Sequence, residues 1–443
     1  MLKVGFYLRE LNFRGIANSV FIYAKNNQTI LKNKSIIFYN STALDNKPEA
    51  IKEFKKKFKT IKISSLSELE KINKNLKLDF IYFQRDGAKD EIVNNSKNII
   101  HAVFPQNPFQ YHGSNYAFIS KWLSKTCSNN KFPFAPLPVQ LIKNNQNLRN
   151  KLKIPKSAKV FGYHGGETSF DLIFVRDAIK KVVKENKNIY FLFMNIRKFF
   201  NHKKVIFIKG TFNQTQKVKF INTCDAMLHA RSLGESFGLS CAEFAIKNKP
   251  ILTYGYCRQR AHFEICKNNV IPYYSYDDLN TKIINFNKNK KYNSSNLKNE
   301  LSEKKTIKIF KKILLNKRQQ KRSLNIIDYI YSIIMSQSWR KYGGINQMDK
   351  TNNITVKSLV TDTFTIREAL ANDFEIRGSL TVSNNATIEG NQTVNGTSNL
   401  QILDVSQNIS MNGGDLILNK VRQTLTKNLN YFDELSSEEI MNE

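Results

Sequence analysis

The chain has 443 residues, 41% of them hydrophobic, a length that allows two or three domains with separate cores and no need for external staples. Its formal net charge is +33, but the basic residues are mostly Lys spread among Asn and Ile rather than gathered with aromatics, so a solvated surface is the reading and a nucleic-acid partner is not expected. Five scattered cysteines without a CxxC pair, and six histidines without an HExxH cluster, argue against a disulfide framework and against a metal site.

The opening residues, MLKVGFYLRELNF, lack the basic-then-apolar pattern of a secretory signal. No stretch approaches the ~20 apolar residues of a membrane span, so a protein made in the cytoplasm, without a transmembrane segment, is expected. Residues 1–280 alternate short β-branched or aromatic runs with longer amphipathic stretches, the signature of parallel sheets with crossover helices. Strands are predicted at 2–8, 35–39, 79–83, 98–104 and 116–120. Residues 136–155, rich in Pro and polar side chains, read as a linker. A second strand series follows at 159–163, 188–194, 204–208, 225–230, 250–254 and 270–274. The fold class is therefore α/β, with two Rossmann-like domains at 1–140 and 151–296 and ligands expected at the carboxyl ends of the strands, in the cleft between them. Residues 297–342 are helical in pattern and end in the apolar IIDYIYSIIMSQSW, which is expected to pack back across both domains.

After KYGGINQMDKTNN the character changes. From Thr351 onward six Lys/Arg stand against twelve Asp/Glu, so the first 350 residues carry +39 and the remainder −6. Leu370, Ile376, Val382, Ile388, Val394 and Leu400 recur every six residues, with Gly378, Gly390 and Gly396 between them. Short strands joined by tight turns fit that period, and such units bury their apolar faces only by stacking on each other or on other chains. Residues 350–443 are thus expected to form a repetitive all-β tail that joins copies of the chain into a homo-oligomer, a trimer for so few units. The alternative is a disordered tail of similar composition. The terminal LSSEEIMNE is acidic and reads as a frayed end or a short helix.

The segment most informative about chemistry is NTCDAMLHARSLGESFGLSCAEFAIKNKPILTY, residues 222–254. A strand ends near Ala230, a Gly-rich turn follows, and a helix begins close to Phe237, so its N-terminal N–H groups face the cleft and suit a phosphate. Glu235 at that mouth can accept hydrogen bonds from sugar hydroxyls, and Glu243, two turns into the helix, can bind a ribose diol. For an isolated pair the plain alternative is two solvent-facing glutamates. A second glycine cluster, VFGYHGG at 160–166, ends the first strand of the second series; glycines there let a backbone approach a diphosphate closely.

The order strand, Gly-Glu-Ser-Phe-Gly-Leu, helix with Glu243, then Lys-Pro-Ile-Leu-Thr resembles the retaining GT-B glycosyltransferases with the E-x7-E motif. That resemblance implies transfer of a hexose from a nucleoside diphosphate sugar to a hydroxyl on a glycan, lipid or protein, with retention and without a metal or cofactor; no Asp-x-Asp pair occurs. It assigns Glu235 to the donor sugar, Glu243 to the ribose, and the N–H groups of Phe237, Gly238 and Leu239 to the diphosphate, with Ser236 also among the donor-binding residues. Gly15, in the turn after the first strand, matches the glycine loop of the family's N-terminal domain. The chain departs from the family beside Gly165 and Gly166, where His164 stands in place of a basic residue and no Lys follows at the usual position. Arg231 is the best-placed substitute cation, ahead of Arg176, Arg197 and Lys198. His101, at a strand end, is a candidate to orient the acceptor.

The stretches RGIANSVFIYAKNNQTILKNKSIIFYN, HAVF, YHGSNYAFISKWLS and FINTCDAMLHARS look like a narrower subgroup from large DNA viruses, phages and some bacteria. The tail, by composition and period, is similar to the repeats of phage and viral fibres, which implies virion association. A different class stays open beside the enzyme: a transferase fold without turnover, acting as a glycan-binding head or structural virion protein.

Overall fold

The computed structural model describes residues 1–106, 110–186 and 188–316, together with the backbone of five short strands between residues 373 and 418. Residues 1–342 cluster as one compact unit and 343–443 as another.

The first unit opens with six strands: β1 (Lys3–Leu8), β2 (Lys34–Asn40), β3 (Lys59–Ile63), β4 (Phe80–Arg85), β5 (Lys97–Ala102) and β6 (Asn115–Phe118). All pair in parallel, in the order β3-β2-β1-β4-β5-β6. Helices α1 (Gly15–Thr29), α2 (Pro48–Lys57), α3 (Leu66–Leu76) and α4 (Lys121–Ser128) belong to this half. Strands such as FIYFQR are apolar without alternation because a parallel sheet is covered on both faces. The exception is β3, KTIKI, which lies at the sheet edge and was not among the predicted strands. Its lysines suit an edge and hide it from a search for apolar runs.

The second series repeats the plan: β7 (Lys159–His164), β8 (Ile189–Met194), β9 (Val205–Ile208), β10 (Ala226–His229), β12 (Ile251–Tyr254) and β14 (Val270–Tyr273), with a two-residue pair, β11 (Gly234–Glu235) and β13 (Gln259–Arg260), beside the sheet. The main order is β14-β12-β10-β7-β8-β9, the same progression as in the first sheet. The strand order reverses between β7 and β10, which opens a crevice at their carboxyl ends. Helices α5 (Ile173–Glu185), α6 (Gln214–Thr223), α7 (Leu239–Ile246), α8 (Ala261–Cys266) and α9 (Tyr276–Ile284) complete this half.

The halves are fastened at several points. Phe212, beyond β9, packs against Phe21 and Phe54 of the first half, and Glu49 Oε1 accepts hydrogen bonds from Thr211 Oγ1 (2.8 Å) and the Phe212 amide (3.1 Å). Next, α10 (Ser295–Glu300) lies against α7, while α11 (Glu303–Ile313) returns to the first sheet, its Phe310 ring set among Phe6, Tyr23 and Tyr82. Asn115 Nδ2 then donates to the Leu314 and Asn316 carbonyls at 2.8 Å. The apolar IIDYIYSIIMSQSW lies outside the described residues. Among those described, no helix is long and apolar enough to cross a membrane. All five cysteines are buried thiols.

In the second unit the strands β15 (Asp373–Ile376), β16 (Leu380–Thr381), β17 (Asn391–Val394), β18 (Ser398–Leu400) and β19 (Ile417–Leu418) pair in parallel within the chain. Each pairing is offset by 18 residues: Asp373 with Asn391, Leu380 with Ser398, Asn399 with Ile417. That offset is three of the six-residue periods, and it makes Ile376 the register partner of Val394. Leu370, Val382, Ile388 and the terminal LSSEEIMNE fall outside the described residues.

Candidate active site

The site is assembled from the turn after β10. Asp171 pins that turn: its amide donates to the Ala230 carbonyl (3.0 Å), and its carboxylate accepts from the Ser232 amide (2.7 Å) and hydroxyl (3.2 Å). Gly234 and Glu235 then pair with β13, and Gly238 turns the chain into α7 with φ +84°. Only glycine fits here, because a Cβ at 238 would meet the His262 Cβ at 3.0 Å and the Glu235 Cβ at 3.2 Å besides the unfavourable φ.

Glu235 is nearly enclosed, its side chain 15% exposed. Arg231 Nη1 lies 3.1 Å from Oε2, and His229 Nε2 lies 3.3 Å from Oε1. Burial alone would raise the carboxyl, but the Arg231 charge and the His229 hydrogen bond outweigh it and hold the group at about 2. The side chain is therefore an ionised acceptor at neutral pH, suited to gripping hydroxyls or stabilising positive charge rather than to donating a proton.

Glu243 is held in the same style by different elements. Lys217 Nζ from α6 lies 2.9 Å from Oε1, and His164 Nε2 at the end of β7 lies 3.0 Å from Oε2. Against the opposing effect of burial, Lys217 and His164 keep this carboxyl at about 2. Two partners do not exhaust a carboxylate, which has about four lone-pair positions. Lys217 was not foreseen. Its own helix shows the signal: Phe220 and Ile221, three and four positions on, are fully buried, so Lys217 shares their inward face. Asn213 caps that helix, accepting from the Thr215 and Gln216 amides.

The predicted residues largely converge on this edge. A Cβ added at Gly15 would lie 3.1 Å from Leu239 Cδ1, so the first half's glycine turn reaches the start of α7. Ser236 and Phe237 are buried between Glu235 and that helix. Gly165 is closely packed, since a Cβ there would sit 2.6 Å from Ser169 Oγ, whereas Gly166 faces nearly open space. Arg176 is spent elsewhere, donating to the Phe170 carbonyl and lying over the Phe199 ring.

His101 does not join the site, which corrects its proposed place beside an acceptor. It is fully buried, with Nδ1 2.7 Å from the Tyr82 hydroxyl and Nε2 2.9 Å from the Ala135 carbonyl. Burial lowers it to about 4, so it stays neutral as a tie between β5 and the chain beyond β6.

An open depression of about 320 Å³ is lined by Leu148, Met194 and Ile208 with Lys209, Thr211 and Gln216, and bounded by Glu49 of the first half. None of the predicted site residues lines it.

No family model and no curated protein matches the sequence. Among solved structures the chain is similar to a glycosyltransferase from Rickettsia africae, at 12% identity over 77% of this chain and 98% of that one, TM-score 0.48. It is also similar to Anabaena HepE in complex with UDP and glucose, at 10% identity over 76% and 99%, TM-score 0.48, and to TarM, at 12% identity over 77% and 99%, TM-score 0.46. Identities this low leave the activity to be judged from the residues themselves.

Proposed function

We propose that the protein is a metal-independent, retaining glycosyltransferase that moves a hexose from a nucleoside diphosphate sugar to a hydroxyl acceptor. The observation carrying this reading is the pair of buried, ionised carboxylates, Glu235 and Glu243, flanking the N-terminal turn of α7 at the switch point of the second sheet. Glu235 would grip the donor sugar and Glu243 the ribose. The amides of Phe237, Gly238 and Leu239, with Gly15 opposite, would take the diphosphate.

Arg231 and Lys217 each already balance one glutamate. The leaving diphosphate would therefore depend on helix amides and on His164, Arg231 and Lys217 sharing their hydrogen bonds, in place of the family's missing basic pair. In this reading 1–140 meets the glycan, lipid or protein acceptor, 151–296 holds the donor, and 297–342 ties them together. The tail, 350–443, then forms a homo-oligomer, a trimer in the sequence reading, on a virion surface; its period and its 18-residue pairing support a stacked β-structure.

The test is a metal-free thermal-shift and donor-hydrolysis screen against UDP, GDP, ADP and CMP sugars. Stabilisation with turnover by one donor, and weakened nucleotide binding in Glu243→Ala, are expected. No response to any nucleotide would remove the proposal.

A further inference from the structure

We infer that Glu235 is aimed by a buried relay, His262 to Thr253 to His229, in which both imidazoles are neutral and carry their proton on Nε2. Four elements contribute. His229 ends β10, and Thr253 on β12 is its register partner in the parallel sheet, so the two side chains share a face. His262 comes from α8 and Glu235 from β11. His229, Thr253 and His262 are all 0% exposed. The distances are continuous: Glu235 Oε1 to His229 Nε2, 3.3 Å; His229 Nδ1 to Thr253 Oγ1, 2.7 Å; Thr253 Oγ1 to His262 Nε2, 3.0 Å. Beyond that the chain stops, because His262 Nδ1 has no hydrogen-bond partner among the described residues.

A threonine hydroxyl has one proton, so Thr253 donates to one ring and accepts from the other. Only two polarities exist. In the first, His262 Nε2–H donates to Thr253, the Thr253 hydroxyl donates to His229 Nδ1, and His229 Nε2–H donates to Glu235. Every contact is then a hydrogen bond, and the one unsatisfied atom is a bare lone pair on His262. In the second, His229 Nδ1–H donates to Thr253 and Thr253 donates to His262 Nε2. A neutral His229 would then turn a lone pair on an ionised carboxylate, or else bear a second buried charge, and His262 would keep a buried N–H without a partner. Orphaned buried donors are the rarer kind, and lone-pair repulsion at a hydrogen-bonding distance adds to the cost. The first polarity wins on both counts.

Arg231, Arg260, Asp171, Tyr163, Cys241 and Cys257 face the cluster from five other segments, and Arg231 is already engaged with Glu235. Burial, the largest cause, pushes His262 well below the ordinary histidine value, so no proton is added to it at working pH. The relay therefore acts as a fixed dipole chain pointing at Glu235. It holds one carboxylate oxygen while Arg231 holds the other, leaving the remaining lone pairs in one orientation toward the cleft. His229, Thr253 and His262 are positioning residues.

That Glu235 meets a sugar rests on the transferase reading; the relay polarity does not. The experiment is long-range ¹⁵N–¹H correlation of the histidine rings in the full chain, with the six rings assigned by single His→Gln variants and by elimination. At pH 8 both rings should show a protonated Nε2 and a bare Nδ1. Protonation of Nδ1 in either ring, or an imidazolium signal from His229, would overturn the inference. In the activity arm, Thr253→Val should lower kcat about tenfold with KM held, and Thr253→Ser should restore most of it; an unchanged kcat in Thr253→Val would also overturn it. Correct tautomers with an active Glu235→Gln variant would sink the role of Glu235 in transfer and keep the relay. Reversed tautomers with an inactive Glu235→Gln variant would do the opposite.

Discussion

Both sheets bury a histidine at a strand end, and the two are used differently. His101 on β5 hydrogen-bonds to a tyrosine hydroxyl and a backbone carbonyl, both neutral partners. His229 on β10 connects, through one nitrogen, to a carboxylate that retains a path to solvent. Burial and ring chemistry are alike, so neither marks a functional histidine. What distinguishes them is whether the hydrogen-bond network ends inside the protein or on a charged group at a cleft.

The sharpest way to break this comparison is to leave a buried carboxylate without its cation. Lys217→Met is expected to destabilise the protein by about 3–5 kcal/mol, because Glu243 is then uncompensated, with nucleotide binding weakened as well. Denaturant titration checks it, and a loss under about 1 kcal/mol would mean that Glu243 is solvated or protonated. Acid reaches both clusters more gradually. Glu235 and Glu243 have carboxyls depressed from 4.5 to about 2, so their contribution is complete above pH 4.5 and drains as the pH falls toward 2. Melting temperatures across that window should fall more steeply for the parent than for Glu243→Gln.

The smallest effect belongs to the first sheet. His101→Gln is expected to cost about 1–3 kcal/mol, the range for a buried polar group losing a partner, and to leave kcat intact. A collapse of kcat at unchanged stability would return His101 to the acceptor site.

Much of this was legible in the residues. The alternation of apolar runs and amphipathic stretches located eleven of the twelve strands in the two main sheets and missed only β3, whose lysines mark an edge. The Gly-Glu-Ser-Phe-Gly-Leu turn placed Glu235, the start of α7 and Glu243 together because those contacts are local. Lys217, Thr253 and His262 were not visible. They come from three other elements, and their meeting depends on the strand order β12-β10-β7 and on helices packed over it, which no short spacing encodes. His101 misled for the complementary reason: a strand end is where sites lie, but its side chain points into the core.

The account turns on Glu235, and the direct measurement compares transfer and donor hydrolysis by the parent and by Glu235→Gln, without added metal, alongside their melting temperatures. Turnover at least about 100-fold lower in the variant, the scale for losing one preorganised electrostatic group, with the fold retained, is the expected result. Equal turnover in the two proteins would contradict it.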